Sequence, residues 1–300
     1  MVVVNRIHNG KKVGKILTTL LISVIAVVFV FPIILTVTNS FMSENEIARN
    51  YAVISGESEQ NGILGSRAEY LELKIIPDEV VLKQYFTVLF RRLKFLLMFW
   101  NSVIIVTPII LGQIMVSSMA AYAFSKIEFK WREKLFLVYI VTMLMLFQVT
   151  LVPNYIIADK LGLIGSFFSI IFPGIFSTFG VFLLRQFMVY IPKEYNEAVT
   201  VDGGTHFHAF LKVVIPMSKT GLAALAILVF IDNWNMVEQP IIFLQDLDRQ
   251  PLSIYLSIIN SGERGISFAA STIYMLPMLL VFLYGENYFV EGIQLSGIKG

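Results

Sequence analysis

The chain has 300 residues, 56% of them hydrophobic and 15% charged, with a mean hydropathy of +0.74. A soluble domain carries roughly 25% charge, so this apolar surplus exceeds one water-soluble core and points to a polytopic membrane protein. Net charge is only +2, which gives no signal for nucleic acid, and the absence of cysteine excludes disulfides, thiolate metal sites and cysteine nucleophiles.

The chain opens on a basic segment, residues 1–15, followed by an apolar run from Ile16 to Thr38. That run is longer than the apolar region of a cleaved leader, about 7–15 residues, and no small-residue cleavage pattern follows it. It is therefore expected to remain as the first span. A spanning helix needs roughly 20 mostly apolar residues. With the first at 16–38, six segments qualify, the others being 96–124, 135–157, 163–185, 220–244 and 267–286. A loop at 39–95 parts the first two spans, and a tail at 291–300 follows the last. Pro108 and Pro153 fall within or near spans and are expected to kink them.

Lysine and arginine set the orientation. With the N-terminus inside, inner segments hold Arg6, Lys11, Lys12 and Lys15, then Lys126, Lys130, Arg132 and Lys134, then Arg185, Lys193, Lys212 and Lys219, and finally Lys299. Short outer loops hold only Lys160, Arg249 and Arg264. The long 40–94 loop holds seven more, balanced by eight acids, but long loops translocate largely regardless of charge. Both termini are expected in the cytoplasm.

The cytoplasmic loop at 186–219 is far longer than the usual helix connection of about 2–8 residues. Pro192 suits the first turn of a helix, where its missing N–H costs nothing. In PKEYNEAVTV, Tyr195, Ala198 and Val199 share one face, while Glu194 and Glu197 near the start favour the helix dipole. Asp202-Gly203-Gly204 is a stop and turn signal, and Thr205 can cap a second helix. Phe207, Phe210, Leu211 and Val214 then recur at helical spacing until Pro216 ends or kinks the helix. Such a helical hairpin either packs on the membrane surface as a link between spans or inserts into a cytoplasmic partner.

Polar character inside the membrane concentrates in the fifth span, at FIDNWNMVEQP. Asp232 lies near mid-bilayer, where a charge must face protein or a water-filled cavity. Asp232, Asn235 and Gln239 fall on one helical stripe, and Trp234 and Glu238 on a neighbouring one. An aromatic plate beside hydrogen-bonding groups suits a sugar. The same cluster can instead glue helices together or support a kink at Pro240. Gln148 in the third span is a further pathway candidate.

Several chemistries are not expected. The histidines are His8, His206 and His208, and the helical pair His206/His208 points about 200° apart, so no metal site is expected. No phosphate-binding Gly-x-x-x-x-Gly-Lys-Ser/Thr motif appears, since GKKVGK at 10–15 is a basic flank. Neither a nucleophile–base pair nor a carboxylate–histidine set occurs in the spans.

The stretch IPKEYNEAVTVDGGTHFHAFLKVVIPMSKTGL resembles the EAA loop of permease subunits of bacterial binding-protein-dependent ABC importers. Glu197, Ala198 and Val199 occupy the Glu-Ala-Ala positions, Asp202-Gly203 supplies the glycine, and Val214-Ile215-Pro216 the end. Val199 replaces the third alanine, and Thr220 stands where a second proline is common. FPIILTVTNSF, NSVIIV at Asn101, AAYAFSKIEFKWREKL, LVPNYIIADKLGLIGS, NWNMVEQPIIFL and the tail EGIQLSGIKG are similar to the carbohydrate branch, in particular the second permease of maltose-type systems. The likeness omits about 43–75, a stretch rich in Glu, Ser and Gly that reads as a variable external insert.

The resemblance implies an all-α membrane protein of six transmembrane helices with the type I ABC importer permease fold, its core permease domain at 96–290. It implies a non-catalytic subunit of the bacterial cytoplasmic membrane that imports a sugar or oligosaccharide by alternating access. Glu197, Ala198, Val199, Asp202, Gly203 and Pro216 would couple it to the ATPase. The implied partners are a second homologous permease, two ATPase subunits, an extracytoplasmic solute-binding protein, the carbohydrate solute and membrane lipid. No cofactor is expected on this chain, ATP and Mg being bound by the ATPase, and the tail is implied to reach the ATPases. A secondary transporter, or a membrane docking scaffold without transport, is the alternative. The former predicts charged residues spread over several spans.

Overall fold

A computed structural model describes residues 2–51, 74–258 and 263–297, and these are all-helical outside turns and loops. In chain order the first helices are α1 (Val2–Asn39), α2 (Glu44–Asn50), α3 (Lys83–Phe86), α4 (Leu93–Lys126), α5 (Arg132–Met143), α6 (Phe147–Lys160), α7 (Phe168–Ile175) and α8 (Thr178–Val189). Then come α9 (Glu194–Val201), α10 (His206–Ala209), α11 (Ile215–Met217), α12 (Lys219–Trp234), α13 (Glu238–Phe243), α14 (Leu252–Ile258) and α15 (Arg264–Gly297).

Four stretches are single crossings by length and hydropathy: Gly14–Asn39 in α1, α4, Phe168–Val189 across α7 and α8, and Arg264–Glu286 in α15. Two bent pairs, Arg132–Met143 with Phe147–Lys160 and His206–Met217 with Lys219–Trp234, bring the total to six if each counts as one span.

The chain divides into two compact units. The first comprises residues 1–92 with 259–273. Its α1 is exposed along Gly14–Val30, as expected of a span surrounded by lipid. After α1 the chain is tied closely. Ser43 caps α2 by accepting from the Glu46 N–H at 3.3 Å. The buried Glu46 carboxylate accepts from the Asp78 N–H at 2.9 Å and pairs with Lys74 at 3.4 Å. Gln84 donates to the Met42 carbonyl at 2.6 Å. Residues 43–51, the start of the expected external insert, thus have a defined structure, whereas 52–73 lie outside the described residues.

The second unit comprises residues 93–258 with 274–300. Ile105 and Ile109 of α4, Leu184 and Met188 of α8, Leu225 and Val229 of α12, and Phe243 of α13 form its core. Close approach of α4 and α8 depends on small residues, because lipid tails are as apolar as side chains and give no hydrophobic preference for protein. A Cβ on Gly180 would lie 2.4 Å from Ser117 Oγ.

Two expected spans are not continuous helices. The third, expected at 135–157, breaks between Met143 and Phe147, and its halves meet at 99°. The helix does not break at Pro153, which lies inside α6, nor at Pro108, which lies inside α4. The fifth, expected at 220–244, stops at Trp234 and restarts at Glu238. Here the cause is local. Pro240 cannot donate to the carbonyl of residue 236, and its ring clashes with it. The helix therefore breaks one turn upstream and places Pro240 in the first turn of α13. At the C-terminus, α15 runs to Gly297, so most of the expected 291–300 tail is helical.

Candidate functional site

The loop expected in the cytoplasm folds as helix, turn and helix. Lys193 is the N-cap of α9, and Glu194 and Glu197 lie in its first turn beside the positive end of the dipole. Asp202 is the C-cap, and Gly203 comes next with φ +78°. The Gly203 N–H donates to the Thr200 carbonyl at 3.0 Å and the Gly204 N–H to the Val199 carbonyl at 2.8 Å. This pair of bonds defines a Schellman stop. Each glycine is needed for its own reason. Gly203 adopts the left-handed conformation, which costs other residues roughly 1–2 kcal/mol. A Cβ on Gly204 would lie 2.6 Å from Val199 Cγ1 and 2.9 Å from the Val199 carbonyl oxygen.

Thr205 caps the next helix, accepting from the His208 N–H at 3.4 Å. Beyond it, the chain is anchored. Phe210 and Val214 are buried in the core, while Phe207 and Leu211 are exposed. A π-helical turn, Phe210–Val214, lies directly ahead of Pro216, and the chain then bends by 75° at Ser218 into α12. By contrast, α9 buries none of its residues. Tyr195 is 50% exposed and Val201 86%, Ala198 is open, and Val199 is half-covered.

The polar residues of the fifth span sort differently from their helical spacing. Trp234 is only 2% exposed. Its ring stacks on Phe230 and Tyr274, with Phe99 edge-on, and its Nε1 donates to the Tyr274 carbonyl at 3.3 Å. Both ring faces are covered, so Trp234 is a packing residue here rather than an open plate for a sugar. Tyr274, which the helical spacing did not single out, donates its hydroxyl to Asn235 Oδ1 at 2.7 Å. A tyrosine within an apolar span is a signal in itself, because its hydroxyl needs a partner.

Asp232, Asn235 and Glu238 are exposed, and Gln239 is half-buried. The break after Trp234 removes the single stripe expected for Asp232, Asn235 and Gln239. It also brings Glu238 to Gln148 of α6, whose Nε2 lies 3.4 Å from Glu238 Oε2. Polar side chains exposed within membrane spans are costly against lipid and require protein or water opposite them. No group of three or more His, Asp or Glu residues is placed to hold a metal among the described residues.

The family described as the binding-protein-dependent transport system inner membrane component matches residues 81–289. The chain belongs to this family. The permease is 28% identical over 296 residues to the arabinooligosaccharides transport system permease protein AraQ of Halalkalibacterium halodurans, covering 97% of this chain and 99% of that protein. It is 32% identical to the lactose transport system permease protein LacG of Rhizobium radiobacter, over 68% of this chain and 75% of that protein. In structure it is similar to a bacterial ABC transporter involved in the import of alginate, with TM-score 0.75 and 20% identity over 93% of this chain and 98% of that one. That likeness establishes the fold.

The permease is thus a multi-span, non-catalytic protein of the inner membrane. As a component of a binding-protein-dependent system, it works with an ATPase and a binding protein. Two features stand out among the described residues: the exposed helix α9 and the polar contact between Gln148 of α6 and Glu238 of α13.

Proposed function

We propose that this permease forms half of the translocation path of a carbohydrate importer and couples to an ATPase subunit through α9. The observation that carries this reading is that α9 buries none of its residues yet presents Tyr195 and Val201 beside a rigid Schellman stop. An exposed amphipathic helix held at both ends is suited to insertion in a partner's groove. Glu197 and Ala198 lie on the inserted helix, Asp202, Gly203 and the half-covered Val199 shape its end, and Pro216 starts the return to the membrane.

A second, homologous permease supplies the other half of the path and covers the exposed polar groups Asp232, Asn235, Glu238 and Gln148. Gln239 completes that seam, and Trp234 holds it in place. An external binding protein delivers the solute, and ATP and Mg bind to the two ATPase subunits. ATP-driven closure shifts the permease pair between inward- and outward-open states through different contacts with α9 in each. The names of the relatives, which transport arabinooligosaccharides and lactose, support a sugar or oligosaccharide as the solute.

The test is to purify the permease with its ATPase, second permease and binding protein, and to screen sugars for binding-protein-dependent ATP hydrolysis. Stimulation by a sugar, abolished by Glu197→Lys in an otherwise assembled complex, is expected. Failure to form any complex with an ATPase overturns the coupling role. Stimulation only by non-carbohydrate solutes overturns the substrate class.

A further inference from the structure

Because α9 buries nothing, its position is set at its two ends. Phe210 and Val214, buried after the turn, hold the outgoing end. The incoming end is held by the short loop between α4 and α5, on the side that the lysine count assigns to the cytoplasm. Lys126 Nζ, at the end of α4, donates to the Ile191 carbonyl just past the end of α8. That carbonyl lies in the link between α8 and α9, outside either helix, and the ammonium serves it. Lys193, the N-cap of α9, lies 2.6 Å from Glu128. One turn before the end of α8, Arg185 Nη2 lies 3.2 Å from both Glu133 oxygens, and its Nε donates to the Phe124 carbonyl at 3.2 Å. Its guanidinium also sits 3.8 Å from the centre of the Phe136 ring.

These contacts are not equal. Lys193 and Glu128 are both well exposed, and such a pair is screened by water and salt. Lys126 is partly covered and Arg185 mostly so, and charge-assisted bonds sheltered from water are the strong ones.

We propose that Lys126 and Arg185 are positioning residues that fix the entry of α9 against the second and third spans, so that a push on α9 is delivered to α4 and α5. This rests on the reading of α9 as the ATPase-docking helix. The strap also explains a basic residue at the end of α4 that the positive-inside rule alone would place anywhere in the loop.

The chain has no cysteine, so Lys130→Cys with Thr200→Cys, combined with cysteine-free partner subunits, gives a unique spin-label pair across these contacts. Distances are measured in the complete transporter, along with ATP hydrolysed per solute imported. The unaltered strap should give one narrow distance distribution. Lys126→Met should displace α9 in a large share of molecules, shifting the seated-to-displaced ratio about tenfold, as expected for loss of one charge-assisted bond. It should also raise ATP spent per solute, and Lys126→Arg should restore both readings. Glu133→Gln, altered at an exposed carboxylate, should broaden the distance by less, since Arg185 keeps its bond to the Phe124 carbonyl.

An unchanged distance in both Lys126→Met and Glu133→Gln overturns the proposal. So does a broadening that Lys126→Arg fails to reverse, which would assign Lys126 to packing alone. If the strap fixes the distance but Lys126→Met leaves the ATP cost per solute unchanged, the strap's role in transmission is overturned. The distances are equally measurable without an ATPase, so loss of the docking reading is seen separately, as failure of the complex to assemble.

Discussion

Val199 leaves no room for a side chain at Gly204: a Cβ there would lie 2.6 Å from Val199 Cγ1 and 2.9 Å from the Val199 carbonyl oxygen. The valine that departs from the family's alanine is therefore part of the turn that ends α9. Gly204→Ala should open the Schellman stop at a cost of about 1–3 kcal/mol, typical of overpacking. Adding Val199→Ala removes the side-chain clash but leaves the carbonyl, so recovery should be partial. Amide exchange across 194–204 checks this. Full protection in Gly204→Ala would show that the turn relaxes freely.

The seam at the break in the fifth span gives a second prediction. Tyr274→Phe removes the donor to Asn235 Oδ1 and leaves the stacked rings in place. If the seam lines the solute path, half-maximal stimulation should require about 2- to 10-fold more solute, the worth of one hydrogen bond. Asp232→Asn should lower uptake with basal ATP hydrolysis retained. Unchanged uptake and affinity in both variants would assign the cluster to helix packing.

A third prediction concerns the contact between α4 and α8. A Cβ on Gly180 would lie 2.4 Å from Ser117 Oγ and 3.0 Å from Gln113 Nε2. Gly180→Ala should destabilise the permease by about 1–3 kcal/mol, and Ser117→Gly in the same chain should recover most of it. Thermal unfolding of the purified complex is the measure. Equal loss with and without Ser117→Gly would place the strain elsewhere.

Hydropathy located α1, α4 and α15 in the sequence because each is one apolar helix, and window averages respond to just that. It could not locate the break at Leu144–Leu146, because all three residues are helix-compatible apolar types with no local stop signal. Pro240 carried the signal for the other break, but it acts through the carbonyl four residues earlier. Asp202-Gly203-Gly204 was readable as a stop because the conformation resides in those residues. The pairing of Gln148 with Glu238, 90 positions apart, was not readable, since only the fold joins them.

The exposed Lys193–Glu128 pair beside the strap responds to pH only in acid. The Lys193 ammonium, by hydrogen bond first and by charge second, holds the Glu128 carboxyl below the usual glutamate value of 4.5. A carboxylate with a depressed pKa contributes its attraction above the ordinary value and loses it as pH falls through the lowered one. The pair is therefore fully formed at neutral pH, and its loss belongs to strongly acidic conditions. The Lys130–Thr200 label distance should stay flat from about pH 8 to pH 5, and Glu128→Gln should show little pH dependence over the same range. A distance that changes within that range would overturn this assignment.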